Sequence, residues 1–340
     1  MNNPVLVTGG TGFLGQALVH ELVGQGRSVH ILCRQSSDRE GLDGLDVQWH
    51  SGDLTHPASV HAAARAVAEC AGTLAQGGPA RAELVHAAAL ISYQARDAAL
   101  QRQVNVEGTR TVLAAACRYG FGRVVHVSSV VTVGHAQHDQ ALDEDAHFNA
   151  GDLGVDYVDT KREAEQLALE VRGDTEVIVV NPGVVFGRSR RPSNTARFMQ
   201  SIWRGRGAPL APPGGVSVVG VEDVARGIRL ALEHGVPGRR YILAESFLPA
   251  IDLFQKVARA FEVPGVRAAV PRRLWPAVVA GGRLVGSVRP VKLATPQALK
   301  LLGLQFRFTG QRARSELGWE PQPFDRVLWD VAQHMRAAEV

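Results

Sequence analysis

The stretch Val5-Leu6-Val7-Thr8-Gly9-Gly10-Thr11-Gly12-Phe13-Leu14-Gly15 joins a short apolar run to a glycine-rich turn. The apolar run predicts a buried strand, and the residues after the turn have the spacing of a helix. Between such elements Gly9 would permit a tight turn, Gly12 would let the backbone approach a pyrophosphate, and Gly15 would let the helix pack closely. Because the first N–H groups of a helix attract phosphate, the stretch predicts a dinucleotide site, with a purely structural turn as the alternative. The candidate contacts are Gly9, Thr11, Gly12, Phe13, Leu14 and Gly15.

Strand-like runs and helical stretches alternate through the first half of the chain. The predicted strands are 5–7, 29–33, 47–50, 84–88, 124–127 and 177–180, and the predicted helices are 13–23, 58–71, 97–119 and 157–171. Strands separated by helices indicate βαβ units in a parallel sheet, and continuous Val, Ile and Leu runs fit strands buried on both faces. The expected fold class is therefore α/β, a Rossmann-type doubly wound parallel sheet with a smaller C-terminal substrate-binding lobe.

A proline- and glycine-rich break at 208–215 indicates how the chain divides. After the break, 216–219 and 241–243 are expected to add strands, with a helix over 223–233 between them. Residues 247–340 alternate short helices with prolines and basic residues, which suggests a separate lobe. We expect a dinucleotide-binding Rossmann domain of residues 1–182 plus 215–246, and a substrate-binding lobe of residues 183–214 plus 247–340.

Composition excludes several classes of protein. The chain has 340 residues, a net charge of +4 and only 6% aromatic residues, whereas a nucleic-acid-binding face needs a denser basic stripe with aromatics. The cysteines Cys33, Cys70 and Cys117 have no C-x-x-C spacing, which fits a reducing cytoplasm and argues against a disulfide framework or a zinc site. The apolar stretch 274–288 is too short and too interrupted to span a bilayer. We therefore expect a cytoplasmic protein with no integral membrane segment.

Two further patterns favour ordinary explanations. His135, His138 and Asp139 have a spacing that suggests a metal site, but they lie in the polar stretch 134–147, which is more typical of a solvated loop over an active site. We therefore expect no metal. Basic and apolar residues mix over 272–288, which leaves a role at a membrane surface as a minor alternative.

The end of the second predicted strand indicates which nicotinamide cofactor binds. A site for NAD usually places a carboxylate there for the 2′-hydroxyl of the ribose. Here Cys33 is followed by Arg34, and no carboxylate comes before Asp38. A guanidinium attracts the 2′-phosphate that distinguishes NADP. We therefore predict NADP(H) as the preferred cofactor, with NAD(H) as the alternative.

Residues after the third and fourth predicted strands are further candidate cofactor contacts. Asp53 could accept a hydrogen bond from the adenine amino group while Leu54 packs on the ring. Alternatively, Asp53 could belong to the N-cap region of the helix that follows. Small residues after the fourth strand would let a cofactor lie close, although they also suit a core. They are Ala87, Ala88 and Ala89.

Asn105 lies inside a predicted helix, where asparagine is unfavourable. This misfit indicates a specific role. Asn105 could tie its helix to the strand that bears Ser129, or it could hold a water in a proton relay.

Ser129, Tyr157 and Lys161 form a candidate proton-transfer group. Hydride transfer to a carbonyl leaves an alkoxide that must be protonated, and the tyrosine pKa of about 10 is too high for this near neutral pH. Lys161 is four residues after Tyr157 and so shares its helix face, where its charge would lower that pKa. Ser129 ends the fifth strand, where open α/β sheets bind ligands, and its hydroxyl could donate to the substrate oxygen.

The sequence at this point resembles an extended short-chain dehydrogenase/reductase of the NAD-dependent epimerase/dehydratase superfamily. The resemblance covers nearly the whole chain, and Gly134, five residues after Ser129, selects Ser129 over Ser128 in the family pattern. The residues that carry it are Thr8-Gly9-x-x-Gly12-x-x-Gly15, Gly52-Asp53-Leu54, Val104-Asn105-Val106-Glu107-Gly108-Thr109, Val127-Ser128-Ser129, Tyr157-x-x-x-Lys161, Asn181-Pro182-Gly183, Asp223-Val224-Ala225 and Leu317-Gly318-Trp319-Glu320-Pro321.

The resemblance is greatest to the branch of dihydroflavonol reductases and 3β-hydroxysteroid dehydrogenases, on Ala88-Ala89-Leu90-Ile91-Ser92, Arg34 and Ser128-Ser129-Val130. It implies a cofactor held by Tyr157 and Lys161 as well, and we add Pro182 and Val184 to the candidate cofactor contacts. It also implies a homodimer formed by the helices at 97–119 and 157–171, with a monomer as the alternative.

The chain departs from the superfamily pattern at two places. Val130-Val131 replaces the Asp-Glu pair of nucleotide-sugar dehydratases, which argues against water elimination. Asn181 replaces a common arginine, and a related asparagine contacts nucleotide in some sugar epimerases.

The expected function is an NADP(H)-dependent oxidoreductase that interconverts a hydroxyl and a keto group on a fairly apolar small molecule. The alternatives are a nucleotide-sugar epimerase with tightly bound NAD and a non-catalytic dinucleotide-binding sensor.

Overall fold

The computed structural model describes residues 3–72, 82–137, 139–188, 193–207, 209–285 and 295–337. Within them a large sheet is built from β1 (Val5–Thr8), β2 (Val29–Cys33), β3 (Val47–Ser51), β4 (Glu83–His86), β5 (Arg123–Val127), β6 (Glu176–Pro182) and β9 (Arg240–Leu243). All neighbouring strands are parallel, in the order β3-β2-β1-β4-β5-β6-β9. The order reverses between β1 and β4, and ligands bind at the carboxyl ends of strands at such a point.

Helices cover both faces of the large sheet. One face carries α1 (Phe13–Gly24), α7 (Val221–His234) and α11 (Gln311–Leu317), and the other carries α2 (Pro57–Cys70), α4 (Gly108–Arg118) and α5 (Asp156–Leu169). Successive residues of a strand point to opposite faces, so Val5 and Val7 join the first core while Leu6 joins the second. Because helices cover both faces of the sheet, the strands are unbroken apolar runs.

The long helix predicted over 97–119 contains a widened turn. It forms as α3 (Ala98–Arg102), a π-helical turn at Gln103–Glu107, and then α4. Such turns are frequent at functional sites, and this one contains Asn105.

A second, smaller sheet lies beside the first. Its strands are β7 (Val184–Phe186), β8 (Gly215–Gly220), β10 (Ser246–Pro249) and β11 (Gln305–Phe306), and β8 pairs with the other three. A third core joins this sheet to α6 (Asn194–Trp203), α8 (Ala250–Ala260) and α12 (Phe324–Ala337). The remaining helices, α9 (Trp275–Val285) and α10 (Pro296–Leu302), pack against each other.

The expected fold class is confirmed, with one difference in the sheets. Residues 241–243 add the seventh strand of the large sheet as predicted, but 216–219 forms its strand in the second sheet. The chain leaves the large sheet at Gly183, which lies so close to β8 that an added Cβ would be 2.6 Å from the Ser217 carbonyl oxygen. A short valine-rich run suits either sheet, so only this close approach decides between them.

In the part of the chain that the structure describes, no helix combines the length and apolar character needed to cross a bilayer.

Candidate active site

The glycine-rich turn has the geometry that a dinucleotide requires. Gly9 has φ +75°, and an added Cβ would lie 2.7 Å from the Ala88 backbone nitrogen. A Cβ on Gly15 would overlap the Gly9 carbonyl oxygen. Both positions therefore need glycine, and the start of α1 lies directly against the end of β4 through this turn.

The N-terminus of α1 is open to a phosphate. Gly12 is its exposed N-cap residue, no side chain caps the helix, and the first turn contains no acidic residue. The first N–H groups of a helix lack partners within it, so they are available to an anion. Thr11, Phe13 and Leu14 border this opening and are all half-buried. The residues present fit a dinucleotide here.

The candidate adenosine side lies at the ends of β2 and β3. Arg34 follows β2 and is exposed. Asp53 accepts hydrogen bonds from the Thr55 backbone nitrogen and hydroxyl, both at 2.9 Å, and does not cap α2. Burial raises the Asp53 pKa, but the Thr55 hydrogen bonds and the charge of Arg34 outweigh it, so the pKa lies below its ordinary value. Leu54 is half-buried and packs close to Gly108.

Small side chains border the turn from β4. Ala87 and Ala88 are half-buried, and Ala89 is exposed. At the end of β6, Pro182 is buried, and Val184 begins β7 with its side chain half-buried. The structure thus brings the residues after β1, β4 and β6 to one edge of the sheet.

Ser129 lies just after β5 with extended backbone and begins the short helical turn Val130–Thr132. Its hydroxyl accepts a hydrogen bond from the Val131 nitrogen at 3.4 Å. Its carbonyl oxygen accepts from the Thr132 hydroxyl at 2.7 Å and from the Asn181 side-chain amide at 3.1 Å. These contacts fix the backbone that carries the Ser129 hydroxyl.

Tyr157 and Lys161 lie on one face of α5 and are both buried, at 8% and 3% exposure. The Lys161 ammonium donates to the Val127 carbonyl oxygen at 2.9 Å, directly before Ser128. Tyr157 lies within hydrogen-bonding reach of the Ser129 side chain. The structure therefore brings the three predicted catalytic residues together at the carboxyl end of β5.

The pKa values in this group differ from the simplest expectation. Burial raises the pKa of Tyr157 above its ordinary value, and the hydrogen bond with Ser129 only partly opposes this. The causes of this shift do not include the Lys161 ammonium, which donates to the Val127 carbonyl, so the lowering of the Tyr157 pKa by Lys161 stays a prediction. Burial lowers the pKa of Lys161 to about 8, although the Glu165 carboxylate acts to raise it.

Asn105 uses its whole side chain in structural contacts. Its oxygen accepts from the Leu90 nitrogen at 2.7 Å, and its nitrogen donates to the Leu90 carbonyl at 3.0 Å and to the Thr160 hydroxyl at 3.2 Å. Asn105 thus ties the π-helical turn to the segment after β4 and to α5. The expected tie to the strand that bears Ser129 is wrong, because the Asn105 side chain bonds Leu90 and Thr160 instead.

His86 links the glycine-rich turn to the π-helical turn, which the sequence did not indicate. The Thr109 hydroxyl donates to the Asn105 carbonyl at 2.6 Å, so it accepts from His86 Nε2 at 2.9 Å. The Thr8 hydroxyl must then donate to His86 Nδ1 at 2.7 Å. Burial and the charge of Lys161 lower the His86 pKa to about 3, which keeps the ring neutral.

A buried polar cluster lies behind Ser129, and the sequence did not reveal it either. Glu165 is fully buried, and its Oε2 lies 2.6 Å from both the Thr132 hydroxyl and the Asn181 amide nitrogen. Its Oε1 accepts from Arg240 at 3.2 Å. Asn181 is therefore committed to the protein interior and does not face a ligand, which weakens the comparison with nucleotide-binding asparagines of sugar epimerases.

The Tyr157 ring lies in an apolar cluster. Tyr93 packs edge-on against it with ring centroids 5.8 Å apart. Other half-buried apolar neighbours come from several segments; they are Val131, Phe148, Leu153 and Leu301. We call these residues, with Tyr93, the apolar wall. The sequence does not predict the apolar wall, because its residues are far apart along the chain.

The stretch expected to form a loop has mostly irregular structure. The Asn149 side chain bonds both the nitrogen and the carbonyl of His135, at 2.9 Å each. His138 lies outside the described residues. Among the residues that are described, no three potential metal ligands are grouped.

Comparison with known proteins places this geometry in a family. Residues 5–244 match the model of the NAD dependent epimerase/dehydratase family. Sterol demethylase protein B of Methylococcus capsulatus is 32% identical over 336 residues, which cover 95% of this chain and 97% of that protein. A putative dihydroflavonol 4-reductase of Synechocystis is 32% identical over 275 residues, which cover 79% of this chain and 75% of that protein. The crystal structure of gox2253 has a TM-score of 0.83 at 28% identity, with 99% of each chain covered.

Relatives named dihydroflavonol reductase and 3β-hydroxysteroid dehydrogenase both occur, which confirms the expected branch. The relatives and the family act on CH–OH groups with NAD(P). The chain therefore belongs to the NAD-dependent epimerase/dehydratase family and is an extended short-chain dehydrogenase/reductase.

Proposed function

We propose that this enzyme is an NADP(H)-dependent oxidoreductase that interconverts a hydroxyl and a keto group on a fairly apolar small molecule. The observation that carries the proposal is the meeting of Tyr157, Ser129 and Lys161 at the carboxyl end of β5, inside an apolar wall. This edge of the sheet also carries the glycine-rich turn. A bound nicotinamide could therefore transfer hydride to or from the substrate carbon, while Tyr157 exchanges a proton with the oxygen on that carbon.

Each side chain has a distinct chemical role in the proposal. When bound, the nicotinamide supplies or accepts the hydride. Tyr157 gives its proton to the substrate oxygen during reduction and takes it back during oxidation. Ser129 donates a hydrogen bond to the same oxygen, and Lys161 provides a positive charge that stabilises the phenolate and binds the nicotinamide ribose. Asn105 holds α5 in place through Thr160, and its part in a proton relay stays a prediction.

The preference for NADP(H) is supported by the ends of β2 and β3. Arg34 is exposed beside the position where the adenosine ribose would lie. The charge of Arg34 acts on the Asp53 carboxylate, which already accepts hydrogen bonds from Thr55. The site therefore offers a cation for a 2′-phosphate and no free carboxylate after β2 for a 2′-hydroxyl. The candidate cofactor contacts of the sequence remain our proposal.

An apolar substrate is supported by the wall around Tyr157 and by the names of relatives. Tyr93, Phe148 and Leu301 present rings and a branched chain rather than charges. Sterol demethylase protein B and 3β-hydroxysteroid dehydrogenase are named for sterol and steroid chemistry. We propose a lipid-like alcohol or ketone as the substrate class.

Nucleotide-sugar epimerisation is the alternative reaction. It predicts NAD(H) that copurifies with the protein and is not consumed. The buried position of Asn181 and the presence of Val130-Val131 after Ser129 make this alternative weaker.

We also propose the expected division into two units, with 215–220 assigned to the lobe because β8 pairs there. A homodimer through α4 and α5, and a cytoplasmic location, complete the proposal. The free cysteines Cys33, Cys70 and Cys117 fit a reducing compartment.

The substitution Tyr157→Phe tests the proposed reaction, because it removes one hydroxyl and keeps the ring. We expect a loss of kcat of at least about 100-fold, with the affinity for NADPH changed less than about threefold. Turnover is measured with NADPH and a panel of steroid-like and long-chain ketones, and cofactor affinity by fluorescence titration. Retained turnover in the variant would refute the role of Tyr157.

A further inference from the structure

The helix α9 and the turn before it present an exposed apolar surface. Leu274 is 52% exposed and Val278 is 39% exposed, one helical turn apart. Between and after them Pro276, Ala277 and Ala280 are also exposed. We call these five residues the α9 surface. A helix that is apolar on its outer face is normally buried against something, but these side chains face solvent.

The inner face of α9 is fixed, so the outer face is presented rigidly. The Trp275 indole nitrogen donates to the Leu299 carbonyl at 3.1 Å, and the indole lies so close to Gly303 that no side chain fits there. Both contacts lie on or next to α10. The exposure of Leu274 and Val278 is therefore a feature of the packed helix.

The chain around the α9 surface has a one-sided charge. None of its 33 acidic residues lies between Glu262 and Glu316. The basic residues of that run are Arg267, Arg272, Arg273, Arg283, Arg289, Lys292, Lys300, Arg307, Arg312 and Arg314.

Two of these cations, Arg272 and Arg273, lie in the turn directly before α9, and Arg267 comes shortly before them in the chain. Arg267, Arg272 and Arg273 are exposed, and among the described residues none of them pairs with a carboxylate. The patch is thus apolar at its centre and cationic at its edge.

We propose that the α9 surface docks on an anionic lipid bilayer and lies in its interface without crossing it. Leucine, valine and alanine on the outer face would enter the acyl boundary, while the neighbouring arginines contact lipid phosphates. A second copy of the chain fits less well, because a two-fold contact would bring the exposed arginines Arg272 and Arg273 of both copies together. A nucleic acid would match the charge and leave the apolar centre exposed.

The α9 surface lies near the proposed substrate site, so membrane docking could bring an apolar substrate to the enzyme. This part of the inference rests on the proposed function. α9 packs on α10, and Leu301 of α10 belongs to the apolar wall around Tyr157. A bilayer held at α9 would therefore lie next to the side of the site where an apolar substrate binds. Vesicle binding itself does not depend on the reaction, so the two proposals fail separately.

The test is co-sedimentation of the full-length protein with phosphatidylcholine vesicles, with and without phosphatidylglycerol. We expect binding to the anionic vesicles that weakens between about 100 mM and about 500 mM salt. The double substitution Leu274→Glu with Val278→Glu should reduce the partition coefficient at least about tenfold. The pair Arg272→Gln with Arg273→Gln should reduce it roughly 30-fold, at about 1 kcal/mol per charge.

Trp329→Glu is the matched control, because Trp329 is a large apolar residue with 59% exposure on a different helix, α12. It should bind vesicles like the unmodified chain. Thermal melting checks that each variant is folded. The proposal is overturned if the unmodified chain does not bind anionic vesicles, or if all variants bind them equally. It is also overturned if the Leu274 and Val278 substitutions change only the oligomeric mass by light scattering.

Discussion

Arg34 is the residue on which the choice of cofactor depends. It is exposed at the end of β2, and its charge reaches Asp53 at the end of the neighbouring strand. The substitution Arg34→Ala should lower kcat/KM for NADPH by about 10- to 100-fold, since a charge-assisted hydrogen bond to phosphate contributes about 1.5–3 kcal/mol. The value for NADH should change less than about threefold, because NADH has no 2′-phosphate.

Initial rates with both cofactors check this prediction. Arg65→Ala is the control, since that guanidinium is 65% exposed on α2 and pairs with Glu69 there. An equal loss with both cofactors would show that Arg34 acts on the fold or on a part common to both, and the preference for NADP(H) would then have no basis in this residue.

Glu165 favours the charged form of Lys161 from inside the protein. The Lys161 charge also acts on two buried histidines, His86 from β4 and His126 from β5, whose pKa values it helps to lower. Burial lowers the Lys161 pKa to about 8, and the Glu165 carboxylate opposes this. Because the proposed role needs the ammonium, kcat/KM should be retained below about pH 8 and fall as the pH rises through that value.

Glu165→Gln should move this alkaline limb to lower pH, because the carboxylate that favours the ammonium is gone. It should also loosen the Thr132 and Asn181 contacts that hold the Ser129 carbonyl. The measurement is the pH dependence of kcat/KM, with Glu163→Gln as the control on the exposed side of the same helix, where Glu163 pairs with Arg102. If the alkaline limb of the kcat/KM profile does not move in the Glu165→Gln variant, Glu165 only supports the fold.

At the scale of elements, the sequence predicts the large sheet well because each strand is a short apolar run that can be recognised locally, and all but the edge strand β3 are mostly buried. Val29–Cys33 forms a strand at the predicted bounds, and the other predicted strands of this sheet begin and end within two residues of them. The second sheet is harder, since β7, β10 and β11 are only two to four residues long and gain stability only from distant β8. Local pattern carries no information about such pairing.

The candidate site also contains residues that the sequence predicts and residues that it does not. Gly9, Ser129, Tyr157 and Lys161 could be found because their chemistry requires fixed spacing along the chain. Glu165 could not, since a glutamate on a mostly polar helix normally faces solvent, and only the approach of β6 and β9 encloses it. The widened turn at Gln103–Glu107 was visible only as an unfavourable asparagine.

At the scale of the whole molecule, α10 connects the lobe to α5 and to the segment before it. Gln297 donates to the Asp156 carboxylate at 2.6 Å, directly before Tyr157, and Lys300 donates to the Leu153 carbonyl at 2.5 Å. Leu301 then completes the apolar wall. In the proposed reaction, the lobe would therefore contribute to substrate binding beside the residue that supplies the proton.

Weakening the contact between α10 and the segment 153–156 should change substrate binding without changing the rate of the chemical step. The double substitution Gln297→Ala with Lys300→Met removes two hydrogen bonds, each of which contributes about 1 kcal/mol. We expect KM for the apolar substrate to rise about five- to tenfold, while kcat and KM for the cofactor stay within about twofold. Lys256→Met is the control, because its ion pair with Asp325 lies within the lobe, away from α10. Initial-rate kinetics decide the outcome: a fall in kcat with unchanged KM would place α10 in support of Tyr157 itself, whereas the predicted rise in KM alone makes it a wall for the substrate.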